Sequence, residues 1–388
     1  MKYSVAMQPG RLSALLLAAS AVATAQSPPA PTSPEPQPQQ IWRMQDSGTT
    51  AGLRGIDSVN GTVAWASGTE GTVLKTTDGG AHWQKCAVPD GDKDGATLDF
   101  RGVQAWDATT AIVMASGQGD KSRLYKTRDG CAHWSLLYRN PNKAGFWDAM
   151  AFSSRSRGFI LGDPVAGRFV LLFTLDAAKT WDRVNTKDLD GGQEEIGAFA
   201  ASNSAMTLEG NSLPIFGTSG PGGPWLYSPD SVCTALTGAA DPASCLRYNL
   251  RFDRRKLPLA GNATSAGIFS VVSFSPGFET VVSIAIGGDF GKPNESSGTA
   301  AWSTDLGLDQ HWTASTTPPH GYRSTVQWSE PLKLWITAGT NGSDISHDDG
   351  RTWQPLDNGD WNALSLPFIV GPKGRIARLN PAALPPAK

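Results

Sequence analysis

The sequence lacks long stretches with helical spacing of apolar residues, and it lacks an excess of either charge. Its 33 lysines and arginines nearly balance 35 aspartates and glutamates, which gives a net charge of −2 at pH 7. No basic run is present, which argues against nucleic acid and anionic membrane surfaces as partners. There is no CxxC pair, no histidine cluster and no dinucleotide-binding fingerprint. We therefore expect no metal and no other cofactor.

Long apolar runs are also scarce, and the longest lies at the N-terminus. Lys2 and Arg11 precede the apolar stretch 12–25, and Ala23-Thr24-Ala25 has the small residues of a cleavage site. These features predict a signal peptide over 1–25 and a proline-rich linker over 26–40. The folded domain is expected over 41–380, with a tail over 381–388. We expect no membrane span and a periplasmic or secreted protein.

What the sequence does contain is one short phrase, repeated five times: a Ser or Thr, an Asp two residues later, and a closing Trp. The phrases open at positions 76, 127, 174, 303 and 346, so the steps are 51, 47, 129 and 43 residues. The longest step, 129 residues, equals three steps of 43 residues, so two further repeats without the phrase fit inside it. This period indicates a propeller or solenoid. The Asp and Trp residues of the phrases are Asp78, Trp83, Asp129, Trp134, Asp176, Trp181, Asp305, Trp312, Asp348 and Trp353.

Each phrase has the composition of a hairpin turn. The Asp can accept hydrogen bonds from backbone N–H groups of its own turn, and Gly80 and Gly350 permit positive φ. The Trp offers a large apolar face to the layer between neighbouring sheets. The third copy, Asp176-Ala177-Ala178, lacks the glycine. These aspartates are therefore interpreted as structural rather than catalytic.

Short apolar runs bounded by glycine precede the phrases, as in Gly61–Gly68 and Ala111–Gly117. They predict four short antiparallel strands per repeat, which is one propeller blade. The fold class is all-β, a single seven-bladed β-propeller, with six blades as the alternative because repeats four and five lack a clear phrase. The last repeat lacks a fourth strand, which 41–45 could supply to close the ring. First strands are expected to begin near Arg54, Arg101, Trp147, Gly197, Ile268, Arg323 and Asn362.

Four cysteines in an exported chain suggest disulfides. Cys233 and Cys245 enclose a short loop inside the fourth repeat and are expected to pair. Cys86 and Cys131 belong to adjacent repeats, which neighbouring blades could bring together. A metal or thiol-redox role is the rival interpretation.

Strand direction alternates, so the starts of the first strands share one face of the ring with the turns after the second strands. The Asp phrases lie on the other face. The first face gathers polar and aromatic residues that could form a ligand pocket, or a solvated rim in which opposite charges neutralise one another. The candidate binding residues are Arg54, Arg101, Trp147, Asp148, Asp163, Glu195, Asp289, Lys292, Tyr322 and Arg323.

The phrases resemble the Asp-box repeats of bacterial neuraminidases. The wider pattern resembles the photosystem II stability/assembly factor-like propellers. Three stretches, Phe146–Ala149, Gly162–Phe169 and Gly288–Pro293, are similar to a bacterial exported subgroup of that family. The resemblance covers roughly residues 41 to 380. It implies a seven-bladed ring with a binding or assembly role.

Two functions fit this face. The first is a non-catalytic, monomeric scaffold that binds a protein or glycan partner. The second is a glycoside hydrolase of the sialidase type, with Arg54, Arg101 and Arg323 as an arginine cluster, Tyr322 as nucleophile, and Glu195 or Asp163 as a carboxylate. The Arg-Ile-Pro start of sialidases is absent from the sequence. The binding scaffold is therefore preferred.

Overall fold

The computed structural model describes residues 40–91, 93–191, 196–209, 213–229, 246–247, 250–277, 280–304 and 311–386. Within these residues, 28 strands form seven four-stranded antiparallel sheets. Each sheet is one blade, and the order of strands within it follows the chain in six of the seven. The predicted seven-bladed propeller is thus confirmed, and the six-bladed alternative is wrong.

Each of the first three blades is a run of four consecutive strands. They are β2 Leu53–Ser58, β3 Ala64–Gly68, β4 Val73–Thr76 and β5 Gln84–Lys85; β6 Phe100–Ala105, β7 Ala111–Ala115, β8 Arg123–Thr127 and β9 Ser135–Arg139; and β10 Trp147–Phe152, β11 Gly158–Val165, β12 Arg168–Thr174 and β13 Asp182–Arg183. Short 3-10 helices precede or interrupt these runs at Gly95–Thr97, Gly119–Lys121 and Lys187–Leu189.

Blades four to six repeat the arrangement, and blade seven combines the two ends of the domain. The strands are β14 Met206–Glu209, β15 Leu213–Gly217, β16 Trp225–Pro229 and β17 Phe252–Lys256; β18 Ala266–Gly277, β19 Thr280–Asp289, β20 Ala300–Ser303 and β21 Thr313–Ala314; β22 Thr325–Ser329, β23 Leu334–Gly339, β24 Gly342–Ser346 and β25 Gln354–Asp357; and β26 Ala363–Ser365, β27 Phe368–Val370, β28 Ile376–Leu379 and β1 Trp42–Gln45. A 3-10 turn, Pro381–Ala383, follows β28.

The ring closes through β1. Trp42 opposes Leu379 and Gln45 opposes Ile376, so the first strand completes the blade of the last three. The Trp42 indole also donates to the Ser343 hydroxyl of blade six at 2.9 Å. Without this pairing the edge strand β28 would expose its unpaired backbone groups, and β1 covers that edge. The predicted role of 41–45 is confirmed.

Apolar clusters fill the layers between adjacent blades. One cluster joins Leu74 of blade one to Phe368 of blade seven, and another joins Trp65 of blade one to Phe100 of blade two. The tryptophans of the Asp phrases pack into these layers, as sequence reasoning expected. They are Trp83, Trp134, Trp181, Trp312 and Trp353.

The Asp phrases form one repeated set of hydrogen bonds. In the first, the Thr76 hydroxyl donates to Asp78 at 2.9 Å and accepts from the Gly80 N–H at 2.9 Å. Asp78 also accepts the His82 N–H at 3.0 Å. The corresponding contacts recur around Asp129, Asp176 and Asp348. Asp305 lies outside the described residues.

The backbone of these turns is left-handed where glycine was expected. Gly80 has φ of 86° and Gly350 has φ of 78°. In the third copy Ala177 and Ala178 adopt φ of 65° and 66°. The hydrogen bonds of Asp176 therefore hold two alanines in a conformation that L-residues disfavour.

Blade four departs from the predicted register. Its first strand was expected near Gly197, but β14 begins at Met206. The reason is that the segment after Ile196 is hydrogen-bonded to Asp163 of β11 and to Ser219 rather than paired with β15. Ser219 N–H donates to the Gly197 carbonyl at 2.8 Å, and Ala198 N–H donates to Asp163 at 3.0 Å.

Cys86 and Cys131 form a disulfide that joins blades one and two, with their Cα atoms 5.3 Å apart. Cys233 and Cys245 lie outside the described residues, so their pairing remains a prediction. In the part of the chain that the structure describes, no helix is long and apolar enough to cross a membrane.

Candidate functional site

A cavity of about 320 Å³ opens on the face opposite the Asp phrases. The first strands of neighbouring blades contact one another, as β2 does with β6 and β18 with β22, so they surround the ring axis. The cavity lies where these strands begin and where the turns after β19 and β23 project. This arrangement is the one expected for the first face. The lining residues are Arg54, Arg101, Phe199, Ala200, Ala201, Phe269, Phe290, Tyr322, Ser324, Thr340 and Asn362.

We call this cavity the mouth of the ring, and one side of it is cationic. Arg101 is the second residue of β6; it donates through Nε to Asp99 at 2.8 Å and through Nη1 to the Ala200 carbonyl at 3.1 Å. Arg54 occupies the corresponding position in β2 and makes no ion pair with any described residue. Its Nε is buried without a hydrogen-bond partner in this part of the chain. Arg54 therefore brings to the cavity a positive charge that no described residue neutralises by an ion pair.

The other side is aromatic. The rings of Phe199 and Phe269 stack with centroids 3.5 Å apart, and Phe290 meets both edge-on at 6.4 and 6.2 Å. Tyr322 meets Phe269 edge-on at 4.7 Å. Phe290 is 53% exposed, which is unusual for a large apolar side chain on a folded surface. The wall is therefore both preformed and accessible.

Tyr322 belongs to this wall as a neutral aromatic group. Its side chain is buried, and burial raises the pKa of its hydroxyl well above the ordinary value, although the charge of Arg54 opposes that effect. A tyrosine nucleophile needs the reverse shift. The structure thus gives no support to the nucleophile role considered for Tyr322.

Arg323 lies in a buried network away from the cavity lining. Its Nε donates to Asp344 at 2.6 Å, and both side chains are fully buried. The carboxylate of Asp344 also contacts His320 Nδ1 at 2.7 Å, and Arg323 donates to Asn341. Burial lowers the pKa of Arg323, while Asp344 raises it. Arg323 therefore does not join Arg54 and Arg101 in a cluster.

The predicted carboxylates Asp148 and Asp163 are not among the residues that line the mouth. Asp148 is buried; burial, followed by the charge of Asp163, raises its pKa well above the ordinary range. Asp163 accepts the Ala198 N–H at 3.0 Å, and burial raises its pKa as well. Among the described residues, no carboxylate lines the cavity. Glycoside hydrolysis by a pair of carboxyl groups across a pocket is therefore not supported.

The remaining candidates have local partners. Trp147 stacks on Tyr138 in the layer between blades two and three, with ring centroids 5.7 Å apart. Asp289 accepts the Gly291 N–H at 2.9 Å. Lys292 lies 3.6 Å from Glu295 on the exposed surface. Glu195 lies outside the described residues.

Within the described ranges, no group of three His, Cys, Asp or Glu residues could hold a metal ion. Two histidines of the Asp phrases pair with the aspartate of their own phrase, His82 with Asp78 at 2.7 Å and His133 with Asp129 at 2.8 Å.

Fold and site together define a seven-bladed propeller whose mouth is cationic on one side and aromatic on the other. No protein-family model and no curated protein sequence matches the chain. A structure of YCF48 from Cyanidioschyzon merolae is similar, with a TM-score of 0.58 and 16% identity, over 88% of this chain and 99% of that one. A structure of YCF48 bound to D1 peptide has a TM-score of 0.54 and 17% identity, over 88% of this chain and 97% of that one. At the level of fold, this likeness confirms the resemblance to photosystem II assembly factor-like propellers.

Proposed function

We propose that this protein is an exported, non-enzymatic scaffold that binds a protein partner at the mouth of the ring. The observation that carries this proposal is that Arg54, which has no ion pair with a described residue, lines the same cavity as an accessible aromatic wall. Aromatic and arginine side chains in preformed pockets dominate the energy of protein recognition. The mouth needs no catalytic group to perform this role.

The chemistry of the two sides indicates what the partner presents. A carboxylate would accept hydrogen bonds from Arg54, and from Arg101 where its remaining N–H groups are free. An apolar or aromatic side chain would pack on Phe290 and the stacked pair behind it. We therefore infer an extended peptide segment with an acidic residue close to an aromatic one.

Two further observations support the proposal. One similar structure is of YCF48 bound to D1 peptide, so the fold holds a peptide in that protein. The disulfide between Cys86 and Cys131 is compatible with an oxidising compartment, which agrees with the predicted signal peptide. Export places the partner in the periplasm or outside the cell.

Peptide display against the purified protein tests the proposal. Selected peptides are expected to share an acidic and an aromatic residue a few positions apart. Arg54→Gln and Phe290→Ala should each weaken their binding about tenfold or more, because both replace central contacts. Met44→Ala is the matched control, since Met44 is 51% exposed and lies on β1, outside the mouth. Peptides that bind both mouth variants as tightly as the parent would contradict the proposal.

A further inference from the structure

A second groove lies beside blade three, separate from the mouth. Its volume is about 340 Å³. The tip of the β11–β12 hairpin forms one side, and β13 with the residues after it forms the other. The Gly162–Phe169 stretch that sequence reasoning singled out therefore contributes to this groove, and the proposed scaffold function leaves it unexplained.

The hairpin tip is held in a costly conformation. Val165 pairs with Arg168, so Ala166 and Gly167 form a two-residue loop. Their φ values are 52° and 78°. Loops of this type favour Asn or Gly at the first position, and a left-handed alanine costs about 1 kcal/mol. Backbone bonds to the loop after β13 fix the tip, since the Gly191 N–H donates to the Gly167 carbonyl at 2.8 Å.

Two arginines, Arg168 and Arg183, line the groove. Arg168 follows the strained loop directly, and Arg183 ends β13. Neither forms an ion pair with a described residue, and the one hydrogen bond of the Arg183 side chain in this part of the chain goes to the Phe169 carbonyl at 3.4 Å. Burial, and then the charge of Arg168, lower the pKa of the Arg183 guanidinium. Both arginines line the same groove, so their positive charges repel one another.

Two acidic residues close to Arg183 in sequence are already paired with other arginines. Asp182 pairs with Arg247 at 2.5 Å, and Asp188 pairs with Arg251 at 2.5 Å. The charges of these two aspartates are therefore largely neutralised by arginines from the segment before β17. Arg168 and Arg183 are left as a pair of like charges that an external anion would neutralise.

We propose that this groove binds a phosphate-type dianion between Arg168 and Arg183. Two guanidinium groups carry two positive charges, which one carboxylate would only half neutralise. A tetrahedral dianion offers enough acceptor oxygens for both planar groups at once. The side chain of Asn185 is exposed at the same groove and can donate a further hydrogen bond.

Calorimetric titration of the purified protein with inorganic phosphate tests this site, with chloride adjusted to keep ionic strength constant. Saturable binding is expected. Arg168→Gln and Arg183→Gln should each reduce the association constant about tenfold. Arg128→Gln is the control: it removes the same charge from an exposed Asp-phrase turn and should leave binding unchanged. Both groove arginines are exposed, so their variants should melt at the parent temperature.

Two further arms identify the ligand. Phosphoserine should bind as tightly as inorganic phosphate if the site accepts the group on a larger molecule, and more weakly if it accepts only the free ion. Acetate should bind at least tenfold more weakly than phosphate, because it carries one charge. Equal binding of acetate, absence of saturation, or undiminished binding by both groove variants would overturn the proposal.

Discussion

Replacing Asp57 should remove a pH dependence of stability that the native ring carries. Asp57 lies on β2, next to the innermost strand of blade two. Its carboxylate accepts the Gln104 side-chain N–H at 3.0 Å and the Ala105 N–H at 2.6 Å. Burial raises its pKa from 3.8 to about 6, and the Ala105 hydrogen bond opposes the shift only in part. The folded state therefore holds this proton more tightly than the unfolded chain.

The sign of the effect follows from that difference. Between about pH 4 and pH 6 the folded state binds more protons at Asp57 than the unfolded state, so stability falls as pH rises through this window. A shift of about two pKa units corresponds to an upper limit of about 3 kcal/mol, of which about 2 kcal/mol falls between pH 4 and pH 7.

The variant Asp57→Asn keeps an oxygen that accepts both hydrogen bonds but cannot titrate. Urea unfolding followed by tryptophan fluorescence should be measured for both proteins at intervals from pH 4 to pH 7. Between pH 4 and pH 7, the unfolding free energy of the parent protein should fall by about 2 kcal/mol relative to that of the variant. Asp46→Asn, at an exposed aspartate, should show no such trend. A difference that stays constant with pH would refute the assigned burial of Asp57.

Two further predictions concern links between neighbouring blades. The Cys86–Cys131 disulfide closes a loop with a sequence separation of 45. Its reduction should lower the free energy of unfolding by about 4 kcal/mol, because the unfolded chain gains entropy, and the urea midpoint should fall. An unchanged midpoint would contradict this prediction. Trp42→Ala should cost about 3–5 kcal/mol, because Trp42 is 5% exposed and bonded to Ser343, whereas Met44→Ala on the same strand should cost under about 1 kcal/mol. Equal melting temperatures of the Trp42 and Met44 variants would show that β1 does not close the ring.

Most of the fold could be predicted because its signals are local and repeated. A Ser or Thr, an Asp and a turn form their hydrogen bonds within a few residues, as Thr76 and Asp78 do. The missing strand of blade seven could be predicted because a ring must pair its edges. The start of blade four could not, since the segment from Gly197 is fixed by Asp163 and Ser219, which lie far away in sequence.

The site was only partly predictable. Topology alone assigns Arg54, Arg101 and Tyr322 to one face, and they do line the cavity. The aromatic wall was missed, because a phenylalanine within or before a strand, such as Phe199 or Phe269, is usually a core residue. A signal existed at Phe290, which directly follows β19 and the glycines Gly287 and Gly288 at its end, on the same face.

Ion pairs distinguish three arginines that occupy equivalent positions in the repeats. Arg54, Arg101 and Arg323 all lie at or just before the first strand of a blade. Arg323 is fully buried against Asp344, and Arg101 is held by Asp99, whereas Arg54 has no ion pair with a described residue. Because burying an unpaired charge is costly, a guanidinium without a partner is retained more readily where a ligand can neutralise it. The neutralised positions stabilise the ring, and Arg54, which has no ion pair with a described residue, lies on the side where we propose that a partner binds.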